Sequence, residues 1–208
     1  MKKILTLGSM MLAMLLSTTP TYAEDYGIGF DPYVSVGVGT VNIKQTGSMG
    51  AAPNIVPMLK KNYQPYIYAA MGVQLHKYFA VEMRYGTTKA DASTANLNNI
   101  NTPATIDYMW SLFVKPQVYM TDKASLYGLL GGTTLRYAGP GVGSPTINTT
   151  VASMETSGLS YGLGVNYDAN EEFSIAFEAL RYINATVAPP AGNDLTIDSY
   201  SAVLKYRF

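Results

Sequence analysis

Apolar and polar side chains alternate along most of the chain. The clearest example is segment 158–167, which reads GLSYGLGVNY, so that large apolar residues hold the odd positions and small or polar residues hold the even positions. Successive side chains of a β-strand point to opposite faces, so this pattern predicts a strand with one apolar and one polar face. The same pattern predicts eight strands, at about 32–44, 63–75, 79–86, 108–118, 127–137, 158–167, 173–180 and 199–208.

The connections between the predicted strands alternate in length. Long polar segments at 45–62, 89–104, 138–155 and 184–195 alternate with short turns at 76–78, 121–124 and 168–172. Membrane barrels of the up-and-down type have long loops at one end and short turns at the other. The sequence therefore predicts an all-β fold, an eight-stranded antiparallel up-and-down transmembrane β-barrel. A β-sandwich is the alternative that the same strands allow.

Aromatic residues on the apolar faces are predicted to form two girdles. One set lies near the short turns and comprises Phe79, Tyr127, Tyr167, Phe173, Tyr206 and Phe208. The other set lies near the long loops and comprises Tyr85, Tyr108, Trp110, Tyr137 and Tyr200. Aromatic side chains collect at both borders of a membrane barrel, where hydrocarbon meets lipid head groups. A sandwich has no such requirement, so the girdles favour the barrel.

The first 23 residues have the pattern of a cleaved export signal. Lys2 and Lys3 precede an apolar run over 4–16, and Ala23 ends a segment suited to signal peptidase. The apolar run is too short for a membrane helix, which needs about 20 apolar residues. We therefore expect residues 1–23 to be removed and residues 24–208 to form the barrel domain.

Composition agrees with a membrane location. Only 13% of the residues are charged, whereas a soluble domain usually has about 25%. Much of the surface is therefore predicted to face something other than water. Loss of Lys2 and Lys3 changes the formal charge from zero to about −2, which does not suit binding to nucleic acid. The absence of cysteine excludes disulfides and thiolate chemistry.

Segment 158–167, the sequence FEALRY at 177–182 and the final Tyr206-Arg207-Phe208 resemble the outer-membrane β-barrel family. This family includes opacity-protein-like and OmpA/OmpX-type barrels, also grouped as porin-family outer-membrane proteins. The resemblance implies a protein of the cell outer membrane, in contact with outer-membrane lipid and lipopolysaccharide. It also implies that the barrel-assembly machinery reads the final strand, with Tyr206 and Phe208 as the assembly signal.

Charged residues recur on the predicted inward faces. They are Glu82, Arg84, Lys115, Arg136, Glu178, Lys205 and Arg207. Charges in a confined interior must pair, because an unpaired buried charge costs several kcal/mol. The interior of an eight-stranded barrel has room only for side chains, which favours a charge network that plugs the lumen. The alternative, supported by small inward residues, is a narrow porin that passes small solutes or ions.

Two features invite a catalytic interpretation. GLSYG at 158–162 matches G-x-S-x-G, but a nucleophile elbow requires a strand-to-helix turn, and Ser160 lies within a predicted strand. His76, the single histidine, is predicted in a short turn at the end opposite the long loops. A lone histidine also cannot form a zinc site. We therefore expect no catalytic, metal-binding or cofactor-binding residues.

The first long loop contains an apolar patch that ends in two lysines: Ile55, Val56, Met58, Leu59, Lys60 and Lys61. Three interpretations fit this patch: contact with lipopolysaccharide phosphates, contact with a host or neighbouring cell surface, and packing over the barrel mouth. The other long loops are rich in Asn, Thr, Ser and Gly, from which no ligand can be inferred. The sequence thus predicts a structural role or a role in adhesion or interaction through surface loops.

Overall fold

The computed structural model describes residues 28–46, 48–49, 56–57, 62–88, 105–138, 153–187 and 193–208. Within these ranges the long strands are β1 (Ile28–Thr46), β2 (Asn62–His76), β3 (Phe79–Thr88), β4 (Thr105–Tyr119), β5 (Ala124–Ala138), β6 (Ser153–Asp168), β7 (Phe173–Val187) and β8 (Asn193–Arg207). The predicted fold class is confirmed, because these eight strands form one closed antiparallel barrel. The expected export signal lies outside the described residues. No helix in the described part of the chain is long and apolar enough to cross a membrane.

Closure joins the first strand to the last. β1 pairs with β8 along 33–46 and with β2 along 31–43, so both of its edges are used. Each of the other long strands likewise pairs with two neighbours. A sheet in hydrocarbon needs this arrangement, because lipid offers no hydrogen bonds to the N–H and C=O groups of an open edge.

Side chains alternate between an outward, lipid-facing surface and the lumen. In β6, Leu159 and Leu163 are exposed on the outer wall, whereas Ser160 between them is buried in the lumen. In β7, exposed Phe177 precedes buried Glu178. The faces predicted from the sequence agree with the structure for β1 to β4 and for β6 to β8.

β5 has the opposite orientation to the one predicted. Tyr127, Leu129 and Leu135, expected on the outer wall, are 4%, 2% and 0% exposed, while Leu130, expected inside, is 51% exposed. The prediction is wrong because segment 129–134 reads LLGGTT, so that alternation fits equally well in either register. Tyr127 therefore does not belong to the girdle near the short turns and is a lumen residue. The side chain of Tyr137 lies outside the described part of this strand.

The half of the lumen near the long loops is mostly apolar, in contrast to the polar interior expected from the sequence. Its side chains, at most 3% exposed, are Val41, Ile43, Tyr66, Ile106, Met109, Leu135, Tyr182 and Ile197. They belong to one cluster of buried residues contributed by six strands. We call this cluster the apolar layer. Its side chains are buried against one another in this part of the lumen.

The predicted patch in the first long loop lies almost wholly outside the described residues. Val56–Pro57 pairs with Ser48–Met49 as a short antiparallel ladder between β1 and β2. Ile55, Met58, Leu59, Lys60 and Lys61 are not described, and the binding role of the patch stays a prediction.

Single cysteines should test the orientation of β5, because the chain has no cysteine of its own. A nitroxide on Leu130→Cys should collide readily with oxygen dissolved in the lipid, since position 130 faces outward. Leu129→Cys should resist labelling in the folded barrel, since position 129 is buried. Power-saturation electron paramagnetic resonance measures the collisions, and the reverse pattern would restore the register predicted from the sequence.

Candidate functional site in the barrel lumen

Arg84 on β3 lies near the centre of the lumen and is 1% exposed. Its Nε donates a hydrogen bond to Glu82 Oε1 at 2.6 Å. Its Nη1 and Nη2 donate to Glu178 Oε2 and Oε1, at 2.7 and 2.8 Å. The guanidinium therefore joins β3 to β7 across the interior, and the two-point contact with Glu178 fixes the plane of the group.

Lys115 on β4 supplies the second positive charge, which balances the two carboxylates of Glu82 and Glu178. Its Nζ donates to Glu82 Oε2 at 2.8 Å, so the two oxygens of Glu82 each receive a cationic donor. Together with Arg84 and Glu178, these residues form what we call the central network, in which two carboxylates face two cations. A buried cluster without net charge is far less costly than one with an unpaired charge.

Three tyrosine hydroxyls complete the hydrogen bonding of the carboxylates. Tyr33 donates to Glu82 Oε2 at 2.7 Å. Tyr68 and Tyr127 donate to Glu178 Oε2 and Oε1, at 2.8 and 2.6 Å. The sequence placed Tyr68 on an inward face and Tyr127 in a girdle, and it predicted none of these hydrogen bonds, because alternation does not show which side chains meet across the lumen.

Aromatic rings also surround the two cations. The guanidinium carbon of Arg84 lies 4.7 Å from the ring centroid of Tyr68 and 5.1 Å from that of Phe113. The Nζ of Lys115 lies 4.5 Å from the ring centroid of Tyr127. These cation–π contacts stabilise charges that have lost their water.

Inward glycines make room for the tyrosine rings. The directly opposed cross-strand pairs are Gly37 with Tyr68, Gly72 with Tyr33 and Gly164 with Tyr127. A Cβ added at Gly37, Gly72 or Gly164 would lie 2.1, 2.3 or 2.4 Å from a ring atom of the partner. The rings therefore occupy the space that these three glycines leave. A glycine opposite a tyrosine on a neighbouring inward face is the sequence signal for this arrangement.

A second polar cluster lies at the short-turn end of the lumen. Asp168 accepts hydrogen bonds from Asn166 Nδ2 at 2.8 Å and from Ser174 Oγ at 2.6 Å, and it forms an ion pair with Arg207. Lys205 lies two residues before Arg207, on the same face of β8. The structure thus places Lys205 and Arg207 on the inward face but outside the hydrogen bonds of the central network.

Arg136 is not a lumen residue, and its predicted place in the charge network is wrong. Its side chain is 49% exposed on the outward face of β5, and its Nε lies 3.7 Å from Asp107 Oδ2 on β4. The cause is the ambiguous alternation of segment 129–134, which also reverses Tyr127. The observed orientation of β5 therefore removes the cation Arg136 from the predicted network and adds the hydroxyl donor of Tyr127.

Ser160 and His76 both form hydrogen bonds within the barrel structure. Ser160 Oγ is buried, lies 2.7 Å from Thr133 Oγ1 and donates to the carbonyl oxygen of Tyr182. His76 ends β2, and its Nδ1 accepts a hydrogen bond from the backbone N–H of Tyr78 at 3.3 Å. Among the described residues, no group of three or more His, Cys, Asp or Glu side chains is arranged to hold a metal ion.

The last strand ends in an outward aromatic cluster. The ring centroid of Tyr206 lies 5.0 Å from that of Phe173 and 5.2 Å from that of Phe208. The backbone N–H of Phe208 donates to the carbonyl oxygen of Pro32 at 3.2 Å. These contacts hold the end of the chain against β1 and β7, and the role of Tyr206 and Phe208 as an assembly signal stays a prediction.

A closed barrel with an apolar outer wall and a charged, hydrogen-bonded interior defines a transmembrane β-barrel. Residues 9–208 match the family model described as the outer membrane protein beta-barrel domain, and the chain belongs to this family. The resemblance seen in the sequence is thereby confirmed, and the family supports the outer-membrane location. No curated protein matches the chain.

Several solved structures have a similar fold. Neisserial surface protein A (NspA) has a TM-score of 0.53 at 11% identity, covering 84% of this chain and 97% of its own. OprG from Pseudomonas aeruginosa has a TM-score of 0.53 at 14% identity, covering 86% and 96%. The N-terminal β-barrel domain of OprF from the same organism has a TM-score of 0.50 at 10% identity, covering 84% and 97%. At these identities the likeness shows the fold alone.

Arg84→Ala should lower the free energy of unfolding by about 3 to 5 kcal/mol, because it leaves Glu82 and Glu178 buried without their shared cation. Urea titration of the barrel in lipid vesicles measures this change. Arg136→Ala is the matched control, since an exposed ion pair contributes at most about 1 kcal/mol. Similar losses in the two variants would contradict the central position of Arg84.

Gly164→Ala should lower the free energy of unfolding by about 1 to 3 kcal/mol, because the new methyl group displaces the Tyr127 ring and its bond to Glu178. Gly132→Ala should change it by less than about 0.5 kcal/mol, because nothing lies within 4 Å of a Cβ at that position. The same titration compares the two variants, and a harmless Gly164→Ala would mean that Tyr127 does not depend on this space.

Proposed function

We propose that this protein is a non-conducting, non-enzymatic outer-membrane barrel whose role is structural or is carried by its surface loops. The observation that carries this proposal is the central network, which spans the lumen from β3 to β7 through Arg84. Its carboxylates and cations bind one another, so none of them is available to accompany an ion through the barrel.

Two successive layers support a closed lumen. The central network occupies the middle of the barrel, and the apolar layer lies between that network and the long loops. An ion entering an apolar constriction must give up its hydration without receiving polar ligands in return. An eight-stranded barrel is also narrow enough for side chains to fill it.

The surroundings of Ser160 and His76 support a non-enzymatic role. The hydroxyl of Ser160 bonds within the wall of the lumen, and His76 stabilises a short turn. A nucleophile needs a base within hydrogen-bond reach and an open site for the substrate. Buried Ser160 has neither among the described residues.

The surface loops are the remaining place for interactions with partners. The connections 47–61, 89–104, 139–152 and 188–192 leave the same end of the barrel, because they alternate with the short turns along the chain. We include in the proposal the contact of Lys60 and Lys61 with lipopolysaccharide phosphates and that of the loop patch with a host or neighbouring cell surface. We also include recognition of β8 by the barrel-assembly machinery.

The refolded wild-type barrel should show no steady conductance in planar bilayers, because both layers block the lumen. Single-channel recording at symmetrical salt measures this property, and unheated gel mobility verifies that the inserted protein is folded. The competing function is a narrow porin, for which the inward Lys205 and Arg207 at the short-turn end would form an entrance. Steady wild-type conductance with an ion selectivity that changes in Glu178→Gln would replace the proposal with the porin.

A further inference from the structure

A charged cluster lies near the long-loop ends of β1, β7 and β8. Asp198 Oδ2 accepts a hydrogen bond from Lys44 Nζ at 2.8 Å, and Asp198 Oδ1 accepts one from Arg181 Nε at 2.7 Å. The side chains of Lys44 and Arg181 are 36% and 38% exposed. Lysine has three N–H donors and arginine five, so Asp198 fixes the spacing of the two cations while using only part of their capacity.

All three residues of this cluster face outward. Arg181 and Asp198 are each flanked along their strands by lumen residues that are at most 4% exposed, and Lys44 follows buried Ile43. Asp198 and Arg181 are direct cross-strand partners, and Arg181 is opposite Tyr161 on β6. Asp198, Arg181 and Tyr161 therefore form one row across the outer wall.

An apolar groove of about 550 Å³ lies next to this row, on the side of the membrane interior. Three of its lining residues, Tyr200, Ala179 and Leu163, stand two positions from the members of the row on the same strands. Two positions along a strand correspond to about 7 Å. The polar row and the groove are therefore parts of one continuous surface.

The groove exists because small residues interrupt the outer wall. Ala179 and Ala202 present only methyl groups, while the neighbouring outward residues Phe177, Leu163 and Tyr200 are large and exposed. The volume falls in the range of small-molecule sites. Because the lining is almost entirely apolar and faces lipid, an acyl chain is the occupant that fits it.

Asn42 on β1 is a buried polar residue beside this cluster. It is the cross-strand partner of Asp198 and is 5% exposed. Its Oδ1 has no hydrogen-bond partner in the described structure.

We propose that this face of the barrel binds one phosphorylated glycolipid of the outer leaflet. The phosphate contacts Lys44 and Arg181, and an acyl chain occupies the groove. The guanidinium group matches the geometry of phosphate oxygens, and the ammonium group adds a compact positive charge. We assign the phosphate to a lipid because the groove extends from the cations toward the hydrocarbon. The site depends on the outer-membrane location and is independent of whether the lumen conducts.

Native mass spectrometry of the full chain refolded in detergent tests the site, with diphosphorylated lipid A and the same lipid without phosphates as probes. The wild type should bind one diphosphorylated lipid about tenfold more tightly than the dephosphorylated lipid. Lys44→Gln combined with Arg181→Gln should abolish this preference. Arg136→Gln is the matched control, because it removes an exposed outward arginine that contacts β4 rather than this cluster.

Ala202→Phe tests the groove without changing any charge. The added ring fills the space between β7 and β8, so both lipids should bind about tenfold more weakly while the preference for phosphate remains. Unheated gel mobility establishes that each variant is folded. Equal wild-type affinity for the two lipids, or the same loss in Arg136→Gln, would overturn the phosphate site. Unchanged binding by Ala202→Phe would overturn the assignment of the acyl chain to the groove.

Discussion

Hydrocarbon offers no hydrogen bonds to a peptide group, and the rest of this structure depends on that constraint. The eight strands of the described barrel satisfy it by closing β1 on β8, which leaves no strand of the barrel with an unpaired edge. Closure with so few strands produces a narrow interior, in which side chains from opposite walls touch. Inward polar groups at the centre of the lumen therefore pair with other inward side chains, and most outward side chains are apolar.

The interior meets this requirement with a network around one arginine. Arg84 bonds to both Glu82 and Glu178, and Lys115 balances the remaining charge. Tyrosine hydroxyls donate further hydrogen bonds to the carboxylates. The tyrosine rings fit because glycines lie opposite them. Toward the long loops the lumen becomes mostly apolar, so the apolar layer covers the network. Charge pairing lies in the middle of the lumen, and mostly apolar side chains are buried above it.

The outer wall changes in character along its height. The wall is apolar over most of its height and becomes charged near the long-loop ends, at Lys44, Arg181 and Asp198 on one side and at Asp107 and Arg136 on another. The first cluster adjoins an apolar groove, whereas the second is a more widely spaced pair on the open surface. Two charged groups on the same wall can therefore have different uses, since a lipid needs both a cation for its head group and space for its chains.

The sequence by itself determined the barrel, the number of its strands and the orientation of seven of them, because a strand with one lipid face must alternate and its period is two. The same alternation placed Glu82, Arg84, Lys115 and Glu178 inside, although it did not show which of them bond. Only the tertiary structure decided that Arg84 meets Glu178, a residue 94 positions away, because this contact depends on closure across the lumen. The tertiary structure also decided the orientation of β5, because the doubled residues of LLGGTT let either face point inward. Its orientation depends on contacts from other strands: the Tyr127 hydroxyl reaches Glu178, Leu135 joins the apolar layer, and Arg136 remains on the outer wall. Alternation within one strand cannot predict those contacts, because they form between strands that are distant in sequence.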